Sequence, residues 1–199
     1  MPKFRAFLLI AAVLAVAAAA WLLWPQKQAA HTVVLPIAER PVGGDFTLQT
    51  ADGPVSLRDL RGKVVLLYFG YANCPDVCPA SMAMNAQALT ALTPEERAKT
   101  RLLFISVDPE RDTPASLKAY ASYFHPEMIA ATGSLEQVAA VARAYGVGYA
   151  KRPPQTDGSY AVDHSAQTYV IAPDGRLAAM VDFGSAPEKV VDAVRKFLP

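Results

Sequence analysis

The chain has 199 residues, enough for one domain with an appendage but too few for two domains of full size. Hydrophobic residues make up 52% of the sequence, and the formal net charge is only +1. No basic stripe is present that could bind phosphates, so the charge pattern excludes a nucleic-acid partner.

The hydrophobic excess is concentrated near the N-terminus. Residues 7–24 form an uncharged apolar run, and the preceding segment 1–6 carries Lys3 and Arg5. At ~1.5 Å per residue, a helix of this length just crosses the ~30 Å hydrocarbon core of a bilayer, and flanking positive charges favour a cytoplasmic N-terminus. We therefore predict a single transmembrane anchor, with the C-terminal domain on the exported side of the membrane.

A cleaved signal peptide is the alternative interpretation of this run. Its apolar core would be shorter, roughly 7–15 residues, and a small-x-small cleavage site would follow. The alanines instead lie inside the run and the segment 21–24 (WLLW) follows them, which favours an uncleaved anchor. Under either interpretation, the rest of the chain is exported across the membrane. Residues 25–41, with three prolines, then indicate a tether to a folded domain over 42–199.

The folded domain alternates predicted strands with predicted helices. Apolar runs rich in β-branched and aromatic residues indicate strands, and cap residues followed by proline or by a capping box indicate helix starts. The predicted strands are 45–48, 55–57, 63–71, 101–107, 167–172 and 177–183, and the predicted helices are 78–92, 112–124, 134–145 and 187–198. This order predicts an α/β domain with a mixed central sheet flanked by helices. Cysteines at the first long strand-to-helix turn make the order thioredoxin-like.

The chain has two cysteines, Cys74 and Cys78. In an oxidising compartment such a pair is a structural disulfide, a redox couple or a metal site. A disulfide here would close a very short loop and stabilise the domain little. We therefore favour a redox couple or a metal site over a structural disulfide. A position at or near a helix N-terminus favours thiolate and predicts a lowered thiol pKa, which both a redox couple and a soft-metal site require.

The spacing of the cysteines is informative but not decisive. Two intervening residues are typical of thioredoxin-type oxidoreductases. Three intervening residues place Cys74 and Cys78 about one helical turn apart on the same face, where both sulfurs can converge on one ion. The pair can still oxidise to a disulfide, so the spacing alone does not exclude a redox function.

His164 supplies a third candidate ligand. It precedes the strand predicted from residue 167, and in a thioredoxin-like fold this loop returns against the cysteine turn. Oxidoreductases usually carry a cis-proline there, but this chain has no proline between Pro154 and Pro173. Two thiolates and one imidazole suit copper in either oxidation state, whereas structural zinc would need a fourth ligand. We therefore predict a metal site at Cys74, Cys78 and His164.

Other polar residues have simpler interpretations. His31 lies in the tether, and His125 precedes a proline at a predicted helix end, where it can meet free carbonyls. The charged segment 108–112 indicates a turn and helix cap with a local ion pair. Within it, Asp108 is the member that could also lie near the metal.

Several motifs now give a resemblance to a known family: 68–71 (YFGY), 74–79 (CPDVCP), 106–114 (SVDPERDTP) and 162–165 (VDHS), in that order. The chain resembles the Sco/SenC/PrrC family. Its members are membrane-anchored copper chaperones that serve assembly of the dinuclear copper A site of cytochrome c oxidase. The resemblance covers the anchor and nearly the whole domain.

This resemblance implies that Cys74, Cys78 and His164 bind one copper ion per domain, as Cu(I) or Cu(II). The implied partners are the oxidase subunit that carries the copper A site, other periplasmic copper carriers or thiol reductases, and the membrane through the anchor.

Two functions remain open. A metallochaperone would pass copper to its partner by ligand exchange. A thiol–disulfide oxidoreductase would instead use Cys74 and Cys78 as its redox-active pair to reduce the target's metal-binding cysteines, and it should tolerate loss of His164. A peroxiredoxin-type peroxidase is disfavoured, because Tyr71 stands where those enzymes have threonine.

Overall fold

The computed structural model describes residues 41–199. The predicted anchor and nearly all of the predicted tether lie outside the described residues, so both remain predictions. Within the described part of the chain, no helix has the length and apolar character needed to cross a bilayer.

The described chain alternates short strands and helices. The strands are β1 (Thr47–Thr50), β2 (Gly53–Ser56), β3 (Val64–Gly70), β4 (Thr100–Ser106), β5 (Met128–Ala131), β6 (Tyr149–Lys151), β7 (Val162–His164), β8 (Thr168–Ile171) and β9 (Leu177–Val181). The helices are α1 (Val77–Ala91), α2 (Pro94–Ala98), α3 (Pro114–Phe124), α4 (Leu135–Ala144) and α5 (Pro187–Phe197), with a 3-10 turn at Leu57–Leu60.

Five strands form the central sheet, in the order β5-β4-β3-β8-β9. β3 runs parallel to β4 and antiparallel to β8, so the sheet is mixed, as predicted. Every residue of β3 is buried, since β3 has a strand on each side and packed elements on both faces. The cysteine segment follows directly, between the end of β3 and the start of α1.

The helix starts follow the cap signals with one correction. α4 begins after Ser134, whose hydroxyl pairs with Gln137 in the predicted capping box. α3 begins after Thr113, which forms a capping box with Ser116. Asp112, placed at the predicted start of this helix, is instead buried and makes other contacts.

The elements that were not predicted are α2, β5, the 3-10 turn at Leu57–Leu60 and the hairpin of β6 and β7. The hairpin strands have three residues each, and the loop between them is mostly polar and exposed, so neither strand shows a clear period of two. This hairpin matters for function because its second strand ends at His164, whereas the sequence predicts a loop at this residue.

A buried polar pair ties α1 to the sheet. The Asn85 amide donates to the Thr168 hydroxyl at 2.9 Å, and both residues are buried. Replacing Asn85 with alanine should lower the free energy of unfolding by about 1–3 kcal/mol, because the Thr168 hydroxyl would remain buried without a partner. Urea unfolding measures this difference. The control is Gln87→Ala on an exposed position of the same helix, and an equal loss in both variants would contradict the prediction.

Candidate metal centre

The two cysteines approach each other through a turn rather than along a helix. α1 begins at Val77, so Cys78 lies in its first turn while Cys74 lies in the preceding loop. The Cys74 N–H donates to the Tyr71 carbonyl at 3.2 Å, which folds this loop back. The expectation that the spacing places both sulfurs on one helical face is therefore wrong, although the sulfurs still converge.

His164 reaches the cysteines from the β6–β7 hairpin. Pairing with Tyr149 across the hairpin sets its position at the end of β7. Its Nε2 lies 3.1 Å from the Cys78 Sγ and 3.9 Å from the Cys74 Sγ. One donor atom from each of the three residues lies within 4.8 Å of the others. The structure thus brings together all three residues that the sequence singled out.

These separations suit a small ion. A tetrahedral ion with metal–sulfur bonds of ~2.3 Å and metal–nitrogen bonds of ~2.0 Å holds its donors about 3.5–3.8 Å apart. The two nitrogen–sulfur distances lie on either side of that range. Small side-chain movements are therefore enough to close the three donors around a metal.

The imidazole of His164 is held in the form that binds a metal. Its Nδ1 lies 2.9 Å from the Ser165 carbonyl oxygen, which can only accept a hydrogen bond. The proton therefore resides on Nδ1, and the Nε2 lone pair faces the sulfurs. Burial lowers the pKa of His164, so the ring is neutral at pH 7.

The Cys78 thiol contradicts the expectation of a lowered pKa. Burial, reinforced by the charge of Cys74, raises the pKa of the Cys78 thiol, because a thiolate loses its hydration there. The side chain of Cys78 is fully buried, whereas Cys74 is 9% exposed. The start of α1 does not offset this desolvation at Cys78. Both cysteines are free thiols.

Two tyrosines and a glycine shape the site. The rings of Tyr68 and Tyr71 lie edge-on to the His164 imidazole, with centroid distances of 6.1 and 5.8 Å. Gly70 lies against the deeper sulfur: a Cβ atom built there would be 2.6 Å from the Cys78 Sγ. Tyr71 therefore packs around the site.

The remaining candidates are a structural histidine and a pair of acidic residues whose burial was not predicted. The Nδ1 of His125 accepts the Glu127 N–H at 3.1 Å at the end of α3, a structural role as expected. The predicted local ion pair is present, with Arg111 Nε 2.5 Å from an Asp108 carboxylate oxygen. Asp108 and Asp112 are nevertheless only 4% and 3% exposed, and the composition of the charged segment does not predict this burial. His31 lies outside the described residues.

Known sequences match over most of the chain. A family model described as SCO1/SenC matches residues 36–199. The mitochondrial SCO2 homolog of Bos taurus is 41% identical over 157 residues, which cover 78% of this chain and 59% of that protein. The SenC protein of Rhodobacter capsulatus is 41% identical over 162 residues, which cover 81% of this chain and 72% of that protein. The chain thus spans less than two thirds of the bovine relative.

Solved structures have the same fold. Apo Sco1 from Thermus thermophilus has a TM-score of 0.71 and 39% identity, covering 79% of this chain and 91% of its own. Arabidopsis thaliana ScoI with copper bound has a TM-score of 0.71 and 36% identity, and the match covers 78% of this chain and 97% of ScoI. BsSco, described as having a disulfide switch and as a member of the Sco family of cytochrome c oxidase assembly proteins, has a TM-score of 0.63 and 26% identity, covering 80% and 95%. These similarities confirm the predicted thioredoxin-like fold.

Proposed function

The chain belongs to the SCO1/SenC family, and we propose that it binds one copper ion through Cys74, Cys78 and His164. We propose further that it delivers this copper to the copper A site of cytochrome c oxidase during assembly of the oxidase. Residues 7–24 would anchor it in the inner membrane, with the copper site on the periplasmic side.

The observation that carries the proposal is the donor set. Two sulfurs and the unprotonated Nε2 of His164 converge within 4.8 Å. Thiolates favour Cu(I), and an added imidazole also accommodates Cu(II). Among the described residues, no fourth histidine, cysteine or carboxylate joins this group. A closed four-ligand zinc site is therefore disfavoured, and a three-ligand site leaves a position through which a partner's ligand can enter.

The difference in burial between the cysteines suggests how copper would pass. Cys74 is the more exposed sulfur, so an incoming ligand would meet the metal on that side while Cys78 and His164 hold it from within. Binding requires both thiols to lose their protons, and the positive ion offsets the cost of placing thiolate at the buried Cys78. The structure of Arabidopsis thaliana ScoI with copper bound supports copper binding by this fold.

The second candidate function is reduction of disulfides in the target. Its support is the same pair of free thiols, of which Cys74 is 9% exposed and Cys78 is fully buried. The Cys74 thiolate would attack a substrate disulfide and release one substrate thiol. Cys78 would then attack the mixed disulfide, releasing the second thiol and leaving Cys74 and Cys78 oxidised. The disulfide switch described for BsSco is consistent with such a pair.

Copper titration of the full-length, reduced protein in detergent tests the first function. Wild type should bind one equivalent of Cu(II) with intense thiolate-to-copper absorption. His164→Ala should lose stable Cu(II) binding, because the two thiolates alone suit Cu(I) better. The control is His125→Ala, which removes an imidazole outside the donor group. If wild type binds no copper, or if the two histidine variants behave alike, the copper assignment fails.

A further inference from the structure

The hairpin that carries His164 has no strand pairing with the central sheet. In the described part of the chain, β6 and β7 form a separate two-stranded sheet. The cysteines, in contrast, follow β3 at the centre of the five-stranded sheet. Strand pairing therefore does not set the distance between His164 and the sulfurs, and contacts that join the hairpin to the cysteine turn contribute to it.

We propose that residues 106–112 form a bracket that positions both halves of the metal centre. One arm of the bracket holds the cysteine turn through Asp112, and the other holds the His164 hairpin through Asp108 and Arg111. This inference rests on the proposed copper site, and it assigns positioning roles to residues that do not belong to the donor group.

The first arm consists of hydrogen bonds to a buried carboxylate. The Asp112 Oδ2 accepts the Ala72 N–H at 2.9 Å and the Ser106 hydroxyl at 2.6 Å. Ala72 lies two residues before Cys74, so this bond fixes the start of the cysteine turn. The Val107 N–H also donates to the Gly70 carbonyl at 2.8 Å, which extends the attachment to the end of β3.

Asp112 forms no ion pair with lysine or arginine in the described residues. Burial raises the pKa of its carboxyl group, which shows that the charge is not favoured there. A buried charge without a cationic partner is costly, so stability alone does not explain this residue. The two hydrogen bonds explain the presence of Asp112 better, because one carboxylate oxygen accepts from both the cysteine turn and β4.

The second arm joins the bracket to the hairpin through Tyr160, two residues before β7. The Tyr160 hydroxyl donates to Asp108 Oδ1 at 2.9 Å. Arg111 donates from Nε to Asp108 Oδ2 at 2.5 Å and from Nη1 to the Tyr160 carbonyl at 2.9 Å. Its guanidinium carbon also lies 3.6 Å from the centroid of the Tyr160 ring. Arg111 therefore fixes both the backbone and the ring of this residue.

The same guanidinium connects the two halves directly. Its carbon lies 5.6 Å from the centroid of the Tyr71 ring, and Tyr71 in turn lies edge-on to His164. A lysine at position 111 would keep the charge, but it cannot make the planar two-point contact with Asp108 and the Tyr160 carbonyl while stacking on the ring. Arg111→Lys is thus a conservative change that should release the hairpin.

Two matched pairs of variants test the two arms in the full-length, reduced protein. Arg111→Lys is compared with Arg152→Lys, which alters an exposed ion pair with Asp163 on the same hairpin. Asp112→Ala is compared with Asp112→Asn, whose amide oxygen can still accept both bonds without the charge. Each variant is titrated with Cu(I) and Cu(II), and its unfolding midpoint is measured in parallel.

Loss of the Arg111 arm should weaken Cu(II) binding by about 10–100-fold, the usual loss when a residue that orients a metal ligand is replaced. It should also shift the thiolate-to-copper absorption. Cu(I), which two thiolates can hold, should change far less. Asp112→Ala should weaken binding of both oxidation states, and Asp112→Asn should restore it. The proposal is overturned if Arg152→Lys behaves like Arg111→Lys. It is also overturned if Asp112→Asn is as defective as Asp112→Ala.

A measurement without copper separates this inference from the proposed function. In the metal-free protein, NMR should detect proximity between the His164 and Tyr71 rings in wild type and lose it in Arg111→Lys. Amide exchange at Ala72 should accelerate in Asp112→Ala alone. If wild type binds no copper but these effects appear, the bracket stands and the copper assignment fails. If the contacts persist in both variants, the bracket is refuted whatever the metal does.

Discussion

Replacing Cys78 with serine should abolish tight copper binding in both oxidation states. Changing residues that only orient a ligand typically costs ~10–100-fold in metal affinity, and Cys78 would itself be a ligand, so the loss should exceed 100-fold. The serine hydroxyl is nearly isosteric, but it is a poor ligand for Cu(I) because it does not ionise near neutral pH and is not soft. Competition with a chelator of known affinity measures the loss for each oxidation state.

The same variant also distinguishes the two candidate functions. Cys74 is the more accessible sulfur, and it would remain able to attack a substrate disulfide after Cys78 has been replaced. A reductase with this change should accumulate a mixed disulfide with its target, because the resolving thiol is missing. Cys74→Ser is the matched control, since it should lose copper without forming the adduct at Cys78. Absence of any adduct, together with loss of copper, would favour the chaperone.

The sequence predicted most of the fold and all three candidate ligands. The run before Cys74 is continuously apolar and rich in branched and aromatic residues, as is typical of a strand covered on both faces. Ser134 with Gln137 marked the start of α4 correctly. His164 was identified by its place in the order of elements and by the family motif. Its location at the end of a strand was not predicted, because three-residue strands show no usable period.

Side-chain burial was much harder to predict than the fold. Asp108 and Asp112 lie in a charged segment whose composition indicates a solvated turn, yet long-range partners bury both of them. The Cys78 thiol shows the same limitation. A helix start favours thiolate locally, but the enclosing core of the folded domain determines the hydration of the sulfur and raises its pKa. Such effects depend on contacts between residues far apart in sequence.

Replacing Gly70 with alanine should damage the copper site without removing any ligand. The new Cβ would lie 2.6 Å from the Cys78 Sγ and 3.0 Å from a ring carbon of Phe104, closer than atoms normally approach. β3 is buried throughout, so the strand has little room to move away, and overpacking of this kind costs about 1–3 kcal/mol of stability. The sulfur must shift, which changes its distance from His164.

Copper titration and the thiolate-to-copper spectrum measure the effect of this displacement. We expect Gly70→Ala to lower Cu(II) affinity by at least about 10-fold, since ~1.4 kcal/mol of strain in the bound geometry suffices for that. Gly148→Ala is the control: Gly148 bonds to Ser165 beside the ligand, but a Cβ there would meet its nearest neighbour at 3.8 Å, an ordinary contact. If both glycine variants bind copper like wild type, then Cys78 does not hold the metal with its sulfur in the position seen in the structure. If only Gly70→Ala fails, the close packing of β3 against the sulfur is part of the copper site.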